Sequence, residues 1–201
     1  MRLGVFGGTF NPPHLAHKYL ALQAAAAANL DRVLIIPDAT PPHKIAKDLV
    51  SGEDRLELCR RTFSSPLFDV SDMELRRSRK SYTIDTLREI KETLRPDELF
   101  LIIGSDMLLS FHQWREYQAI LSLCRLIVLS RETAISVSDL AAYAQDVLGL
   151  AERRGEILLL SVPTQELSST EIRRRLAAGA PVDGLLEPDA IAYIIEKGLY
   201  Q

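Results

Sequence analysis

A doubly wound α/β fold on a mostly parallel sheet is what this chain predicts, and two observations predict it. Short runs rich in Val, Ile and Leu alternate with longer segments of helical period, the order of a sheet covered by helices on both faces. The runs are also continuously apolar, as strands buried on both faces are, whereas a half-exposed antiparallel strand would alternate. The predicted strands are residues 2–6, 32–36, 67–70, 99–103, 125–129 and 157–162.

The helices follow from local chemistry. Residues 14–28 are dominated by alanine and leucine, the best helix formers, with Pro13 at the opening, and the run 24–28 is helix filler. Ser51 and Asp54 open a second helix as an N-cap with an acidic third position. Residues 82–94 place Ile84, Leu87, Ile90 and Leu94 on one stripe and leave Glu89 and Lys91 on a solvated face. Ser168 and Glu171 have the spacing of a capping box at the start of 171–178, and a last helix over 188–197 stops at Gly198. With no repeat, low-complexity linker or internal boundary, the chain is expected to be one domain over residues 1–201. The helices from about residue 168 would pack on the same core.

Composition excludes several classes of function. The 201 residues are 47% hydrophobic and 25% charged, with 24 basic against 27 acidic side chains and a formal charge of -3, the figures of an ordinary globular protein. With a pI of about 5.8 there is no overall positive field, so nucleic acid is not expected as a partner. No apolar stretch approaches the roughly 18–20 residues that span a bilayer, and the N-terminus lacks a cleavable signal pattern, so no membrane partner and a cytoplasmic location are expected. Cys59 and Cys124 are flanked by leucines and suit reduced, partly buried thiols better than a disulfide framework or a zinc site.

Chemistry-bearing residues gather at strand ends and helix starts. After the first strand comes Gly7-Gly8-Thr9-Phe10-Asn11-Pro12-Pro13-His14-Leu15-Ala16-His17, a glycine turn feeding a helix. Glycines let backbone amides approach a ligand, and the helix start offers unpaired N–H groups with partial positive charge, which together make an anion site. The spacing matches neither the dinucleotide fingerprint nor a P-loop. His14 and His17, three apart on one helix face, can donate to phosphate oxygens and stabilise charge growing on a leaving phosphate; the blander reading is one ring capping the turn and the other filling a polar gap. No third ligand at a matching spacing supports a metal there.

Four further segments carry the same kind of signal. Pro37-Asp38-Ala39-Thr40-Pro41-Pro42-His43-Lys44 follows the second strand, at the end of a sheet where ligands bind, with Lys44 as a point charge for phosphates and His43 as a donor; alternatively it is a solvated proline turn. In Ser81-Tyr82-Thr83-Ile84-Asp85-Thr86, Thr83 reads first as a helix cap. Gly104-Ser105-Asp106 follows the fourth strand, where Asp106 can accept from ribose hydroxyls, and Trp114 in Phe111-His112-Gln113-Trp114 can stack on a flat heterocycle or sit in the core. Ser168-Ser169-Thr170-Glu171-Ile172-Arg173 is a second capped helix start, an anion cradle toward which Arg173 can fold its planar fork. The basic run 76–80 reads as a solvated loop.

These blocks, in this order, carry a resemblance. The first is similar to the G-G-T-F-D/N-P-x-H-x-G-H signature of the nucleotidyltransferases with a HxGH element, a group whose fold resembles that of class I aminoacyl-tRNA synthetases. Ala16 stands where the signature has Gly, and Asn11 where Asp is frequent. Over residues 3–175 the chain resembles those members that act on nicotinate mononucleotide. The resemblance implies a Rossmann-like nucleotidyltransferase fold and adenylyl transfer from ATP, accompanied by Mg2+, to nicotinate mononucleotide, giving nicotinate adenine dinucleotide and pyrophosphate. It assigns catalytic roles to His14, His17, Lys44 and Arg173. ATP contacts fall to Gly7, Gly8, Thr9, Phe10, Gly104, Asp106, Ser168, Ser169 and Thr170, and acceptor contacts to Asn11, His43, Lys44, Thr83 and Trp114. The alternatives are phosphopantetheine or nicotinamide mononucleotide as acceptor, or a nucleotide sensor without turnover. A homo-oligomer stays open.

Overall fold

The structure is a computed structural model that describes residues 1–39, 48–77, 80–131, 135–151, 154–163 and 167–201. Six strands form one sheet in the order β3-β2-β1-β4-β5-β6. They are β1 (Arg2–Gly8), β2 (Arg32–Pro37), β3 (Phe68–Val70), β4 (Glu98–Gly104), β5 (Arg125–Arg131) and β6 (Ile157–Val162). Parallel pairing joins β1 to β4, β4 to β5 and β5 to β6, with Leu3 beside Leu99, Leu101 beside Leu126 and Leu126 beside Ile157. Every strand read from the sequence is present, and the doubly wound expectation holds. The apolar runs have their predicted cause: Val33, Ile35, Leu126, Ile127 and Val128 are wholly buried. The order reverses at β1, the topological switch point at which open α/β sheets bind ligands.

The helices are α1 (Leu15–Ala28), α2 (Gly52–Thr62), α3 (Thr83–Thr93), α4 (Ser105–Ser110), α5 (Tyr117–Leu123), α6 (Val137–Leu148), α7 (Ser169–Ala177) and α8 (Pro188–Lys197). Ser51 caps α2 as predicted, its side chain accepting from Asp54 N–H at 3.0 Å. α8 ends at Gly198 in the left-handed conformation (φ 62°). Two details differ from the sequence reading. Leu94 lies beyond α3 and is 46% exposed, so the buried stripe of that helix is Ile84, Leu87 and Ile90. Thr83 is the first residue of α3 and Tyr82 is its N-cap, without a side-chain capping bond, so the expected threonine cap does not form. α4, α5 and α6 have no counterpart in the sequence reading: α4 has six residues and α5 seven, too short to show a period, and α6 buries only Leu140 and Ala144.

The chain falls into two compact units, each drawn from three stretches. One comprises Met1–Phe6, Leu20–Leu34 and Ser81–Thr164, the other Gly7–Tyr19, Ile35–Lys80 and Gln165–Gln201. In the second, Ile172 of α7 and Ala190 and Ile194 of α8 close on Leu58 of α2 with Val182 and Leu186, so the C-terminal helices share that unit's core. Cys59 and Cys124 are free and buried, and burial pushes both thiols up, that of Cys124 to about 12. Among the described residues, no helix is long and apolar enough to cross a membrane.

Candidate active site

In the second unit, the turn after β1 is built from the inside by Phe10. Its backbone is left-handed (φ 48°), a conformation that costs a bulky residue free energy and persists only where the surroundings hold it. The ring is buried, meets Phe63 edge-on at 5.9 Å and folds back over Gly8, where a Cβ would come within 3.2 Å of it. Phe10 therefore acts as the turn's anchor, and its other edge meets the His17 ring at 5.2 Å.

The two histidines are locked together. His14 stands one residue before α1, and its carbonyl accepts from His17 N–H at 2.9 Å to close the first turn. His17, at the third helical position, returns its Nδ1 to the His14 backbone N–H at 3.2 Å, the reciprocal bond that a glutamate makes in a capping box. This stacks the rings at 3.7 Å and 27°. Because Nδ1 accepts, the neutral His17 ring carries its proton on Nε2. His14 is buried and His17 half-buried. Ala16, the departure from the signature, is buried, so its methyl belongs to the packing.

Side chains from other elements of the same unit hold the turn. Arg55 of α2 is wholly buried, and its guanidinium donates to Thr9 O at 2.8 Å, Asp38 O at 2.9 Å and Asp38 Oδ1 at 3.1 Å. Thr9 completes the link by donating its hydroxyl to Asp38 Oδ2 at 2.9 Å. From α7, Ser169 Oγ donates to Pro12 O at 2.8 Å and Arg173 Nη1 to Asn11 O at 2.9 Å. Asn11 is buried, and its side-chain amide donates to Asp48 O at 2.9 Å. Ser168 caps α7 by accepting from Glu171 N–H at 3.2 Å, while the Glu171 carboxylate turns to Arg174 and Arg175. The side-chain hydrogen bonds to those arginines, Arg174 first, hold the Glu171 carboxyl down at about 2.

The residues expected on the strand-end turn and on α7 are thus gathered in one unit: Gly7 to Asn11, His14, His17, Ser168 to Thr170 and Arg173. Arg55, and Tyr200 with its hydroxyl on Asn11 Oδ1 at 2.9 Å, were not expected there. An arginine between Asp54 and Leu56 on a helix reads as a solvated side chain, and no sequence signal marks it as buried. His43 and Lys44 lie outside the described residues.

The other unit holds the remaining candidates. Gly104 is the N-cap of α4, and a Cβ there would come within 2.5 Å of Asp106 Oδ1, so glycine lets that carboxylate fold back to the strand end. Asp106 is exposed. Beyond α4, a 3-10 turn over Phe111–Gln113 ends at Trp114, half-buried, with its ring on that of Phe111 at 4.9 Å and 33°. Phe111 supports one side of the indole and is itself wholly buried. Thr83 is half-buried at the start of α3, beside Tyr82, whose ring carries the Arg115 guanidinium at 4.6 Å.

Imidazole, hydroxyl and guanidinium donors around a helix start suit phosphate oxygens, and an exposed carboxylate after a glycine strand end suits a ribose. A nucleotide-handling fold is what these sites define, and the chain belongs to the cytidylyltransferase-like family, whose model matches residues 5–175. Within it, the probable nicotinate-nucleotide adenylyltransferase of Geobacter metallireducens is 40% identical over 213 residues, covering 100% of this chain and 98% of the relative. That of Shouchella clausii is 36% identical over 200 residues, covering 99% and 96%. The structure of Plasmodium falciparum nicotinic acid mononucleotide adenylyltransferase complexed with NaAD superposes with a TM-score of 0.76 at 20% identity, over 99% of this chain and 97% of that one. The same enzyme complexed with APC gives 0.74 at 19%, over 99% and 96%. At those identities the likeness shows the fold, a Rossmann-like nucleotidyltransferase fold.

Proposed function

We propose that this protein is a nicotinate-nucleotide adenylyltransferase, which joins ATP and nicotinate mononucleotide into nicotinate adenine dinucleotide in NAD biosynthesis. A phosphate oxygen of the mononucleotide attacks the α-phosphorus of ATP in line, the bond to the bridging oxygen breaks, and pyrophosphate leaves. The acceptor phosphate is already ionised at neutral pH, so no side chain is needed as nucleophile or base. Catalysis is then positioning and charge stabilisation. The observation that carries the reading is the locked His14–His17 pair, stacked at 3.7 Å and tied by the Nδ1 bond at the start of α1. Whole-length relatives carrying the name support it.

In this reading His14 and His17 steady the triphosphate, with Gly7, Gly8, Thr9 and Phe10 shaping the turn. Ser168, Ser169, Thr170 and Arg173 hold phosphates from α7, and Lys44 and His43 add donors. Asp106, beside Gly104, accepts from the ATP ribose. Thr83 and Trp114 receive the acceptor, the indole stacking on the pyridine ring. Asn11, expected among the acceptor contacts, is buried with its amide bonded to Asp48, Val50 and Tyr200, and in this reading it supports the turn instead. Among the described residues no three His, Cys, Asp or Glu side chains group around an ion, and the donors of the turn suit anions. The Mg2+ of this reading would arrive with ATP and would supply positive charge to neutralise the triphosphate. The reading keeps residues 1–201 as one domain and places the protein in the cytoplasm, which the free buried thiols suit.

The test is to incubate the protein with ATP, Mg2+ and each acceptor separately and measure pyrophosphate. Release with nicotinate mononucleotide is expected. Release with phosphopantetheine or nicotinamide mononucleotide alone reassigns the acceptor, and silence with every acceptor favours a nucleotide sensor.

A further inference from the structure

Tyr200 belongs to no motif, yet it reaches the frame of the phosphate turn. Its hydroxyl donates to Asn11 Oδ1 at 2.9 Å. The same oxygen accepts from Val50 N–H at 3.3 Å, while the Asn11 amide nitrogen donates to Asp48 O at 2.9 Å. The amide has one orientation, because a flip would set its NH2 against two donors and its oxygen against a carbonyl. The adjoining backbone is held as well: Asn11 O takes Arg173 Nη1 and Pro12 O takes Ser169 Oγ. Tyr200 and Arg173 thus meet at one residue, one through its side chain and the other through its carbonyl.

Two observations give that meeting a consequence. Tyr200, Arg173 and Thr170 line one cleft of about 530 Å³, together with Asp48 and Val50. The Arg173 guanidinium also depends on Asn11 for its place. Among the described residues its enclosed Nε has no hydrogen-bond partner, and its Nη2 reaches Thr170 Oγ1 only at 3.4 Å. Among the described residues the 2.9 Å bond to Asn11 O is its one short anchor, so slack at residue 11 passes to the guanidinium. Tyr200 supplies a constant donor: burial, outweighing the nearby Arg173 and Arg55, pushes its hydroxyl well above the usual range.

We infer that Tyr200 is a positioning residue for the triphosphate: through Asn11 it sets the Arg173 guanidinium, and with it the affinity for ATP, without touching the acceptor mononucleotide. The inference rests on the proposed adenylyl transfer. In Tyr200→Phe, the KM for ATP should rise about fivefold, the scale of one hydrogen bond, with the KM for nicotinate mononucleotide unchanged. In an Arg173→Ala background the same change should add nothing, because its route to ATP is gone; a merely structural tyrosine would weaken both backgrounds alike.

An unchanged KM for ATP, equal rises in both KM values, or a full further rise in the Arg173→Ala background each overturns the inference. Should Tyr200→Phe melt below the assay temperature, 3,5-difluorotyrosine at position 200 keeps the ring and makes the hydroxyl more acidic. Over the pH range in which phenolate absorbance shows the residue ionising, the KM for ATP should climb as the phenolate forms against Asn11 Oδ1, and an ionised phenol with the wild-type KM profile overturns the inference. The wild-type control separates the two claims. If the wild type releases no pyrophosphate from ATP and nicotinate mononucleotide, the proposed function has failed; if it does and Tyr200→Phe behaves identically, only the role of Tyr200 has.

Discussion

The turns after β1 and β4 begin alike, with a glycine at the end of a parallel strand and a helix close behind, and they are held in opposite ways. After β1 the backbone is gripped from outside: Arg55 takes Thr9 O, Arg173 takes Asn11 O and Ser169 takes Pro12 O. After β4 the helix starts at once, and the grip from outside falls at its far end, where Tyr143 of α6 donates to Leu109 O at 2.8 Å. Asp106 is exposed beside Gly104, and Trp114 leans on its near neighbour Phe111. On the proposed function, the contrast follows from what each turn would handle. Charge stabilisation demands donors that do not move as charge develops, so the histidines sit in an over-determined frame. Recognition of a ribose hydroxyl or a flat ring needs only an accessible acceptor and an accessible face.

The largest effect should come from the over-determined turn. His17→Ala removes the Nε2–H donor and the acceptor for His14 N–H, and turnover with both substrates saturating should fall about 10²- to 10³-fold, the scale of one lost transition-state donor. The melting temperature should barely move, because His17 is half-buried and the helix keeps its backbone bonds. Near wild-type turnover would remove the imidazoles from the chemistry.

The frame itself is tested at Arg55. Arg55→Met keeps the length and apolar volume but deletes the donors to Thr9 O, Asp38 O and Asp38 Oδ1, leaving those acceptors to water or to nothing. A loss of about 2–4 kcal/mol in denaturant unfolding is expected, the range for buried charged hydrogen bonds with partners left behind. A loss below about 0.5 kcal/mol, the usual surface value, would mean that the turn holds itself and that the contrast with the β4 turn is mistaken.

Trp114→Ala probes the second turn. The KM for nicotinate mononucleotide should rise about tenfold, in line with the roughly 0.5–1.5 kcal/mol of an aromatic stack, while turnover and the KM for ATP stay put. Steady-state kinetics with each substrate varied in turn separates the cases. A fall in turnover at unchanged KM would give this turn a part in the chemistry.

The same contrast explains what could be read in advance. Strands buried on both faces announce themselves, and residues 157–162 coincide with the observed β6. The donors on the β1 turn were also readable, because glycine, histidine and a helix start carry local signals. What was not readable is tertiary. Arg55 and Tyr200 act through bonds to distant backbone and amide groups, and neither leaves a periodic or motif signature. Thr83 looked like a cap because threonine favours that position, but the chain starts α3 one residue earlier and gives Tyr82 the place. Leu94 completes a stripe on paper and falls past the last turn in space.

The smallest expected effect sharpens how α7 serves the β1 turn. Ser169 and Arg173 bond to the turn, whereas Glu171 bridges Arg174 at 2.8 Å and Arg175 at 3.0 Å on the helix's own exposed side. Those bridges hold the Glu171 carboxyl at about 2, below the usual value near 4. A carboxyl depressed in the folded state contributes stability above its unfolded pKa and loses it as pH falls toward the folded one. Glu171→Gln should therefore lower the melting temperature slightly at neutral pH, and the gap to the wild type should close as pH falls from about 4 toward 2. The shift should be small because exposed ion pairs are worth little, and the KM for ATP should not change. A large rise in that KM would show that α7 presents its phosphate donors through its surface charges and not through its two bonds to the turn.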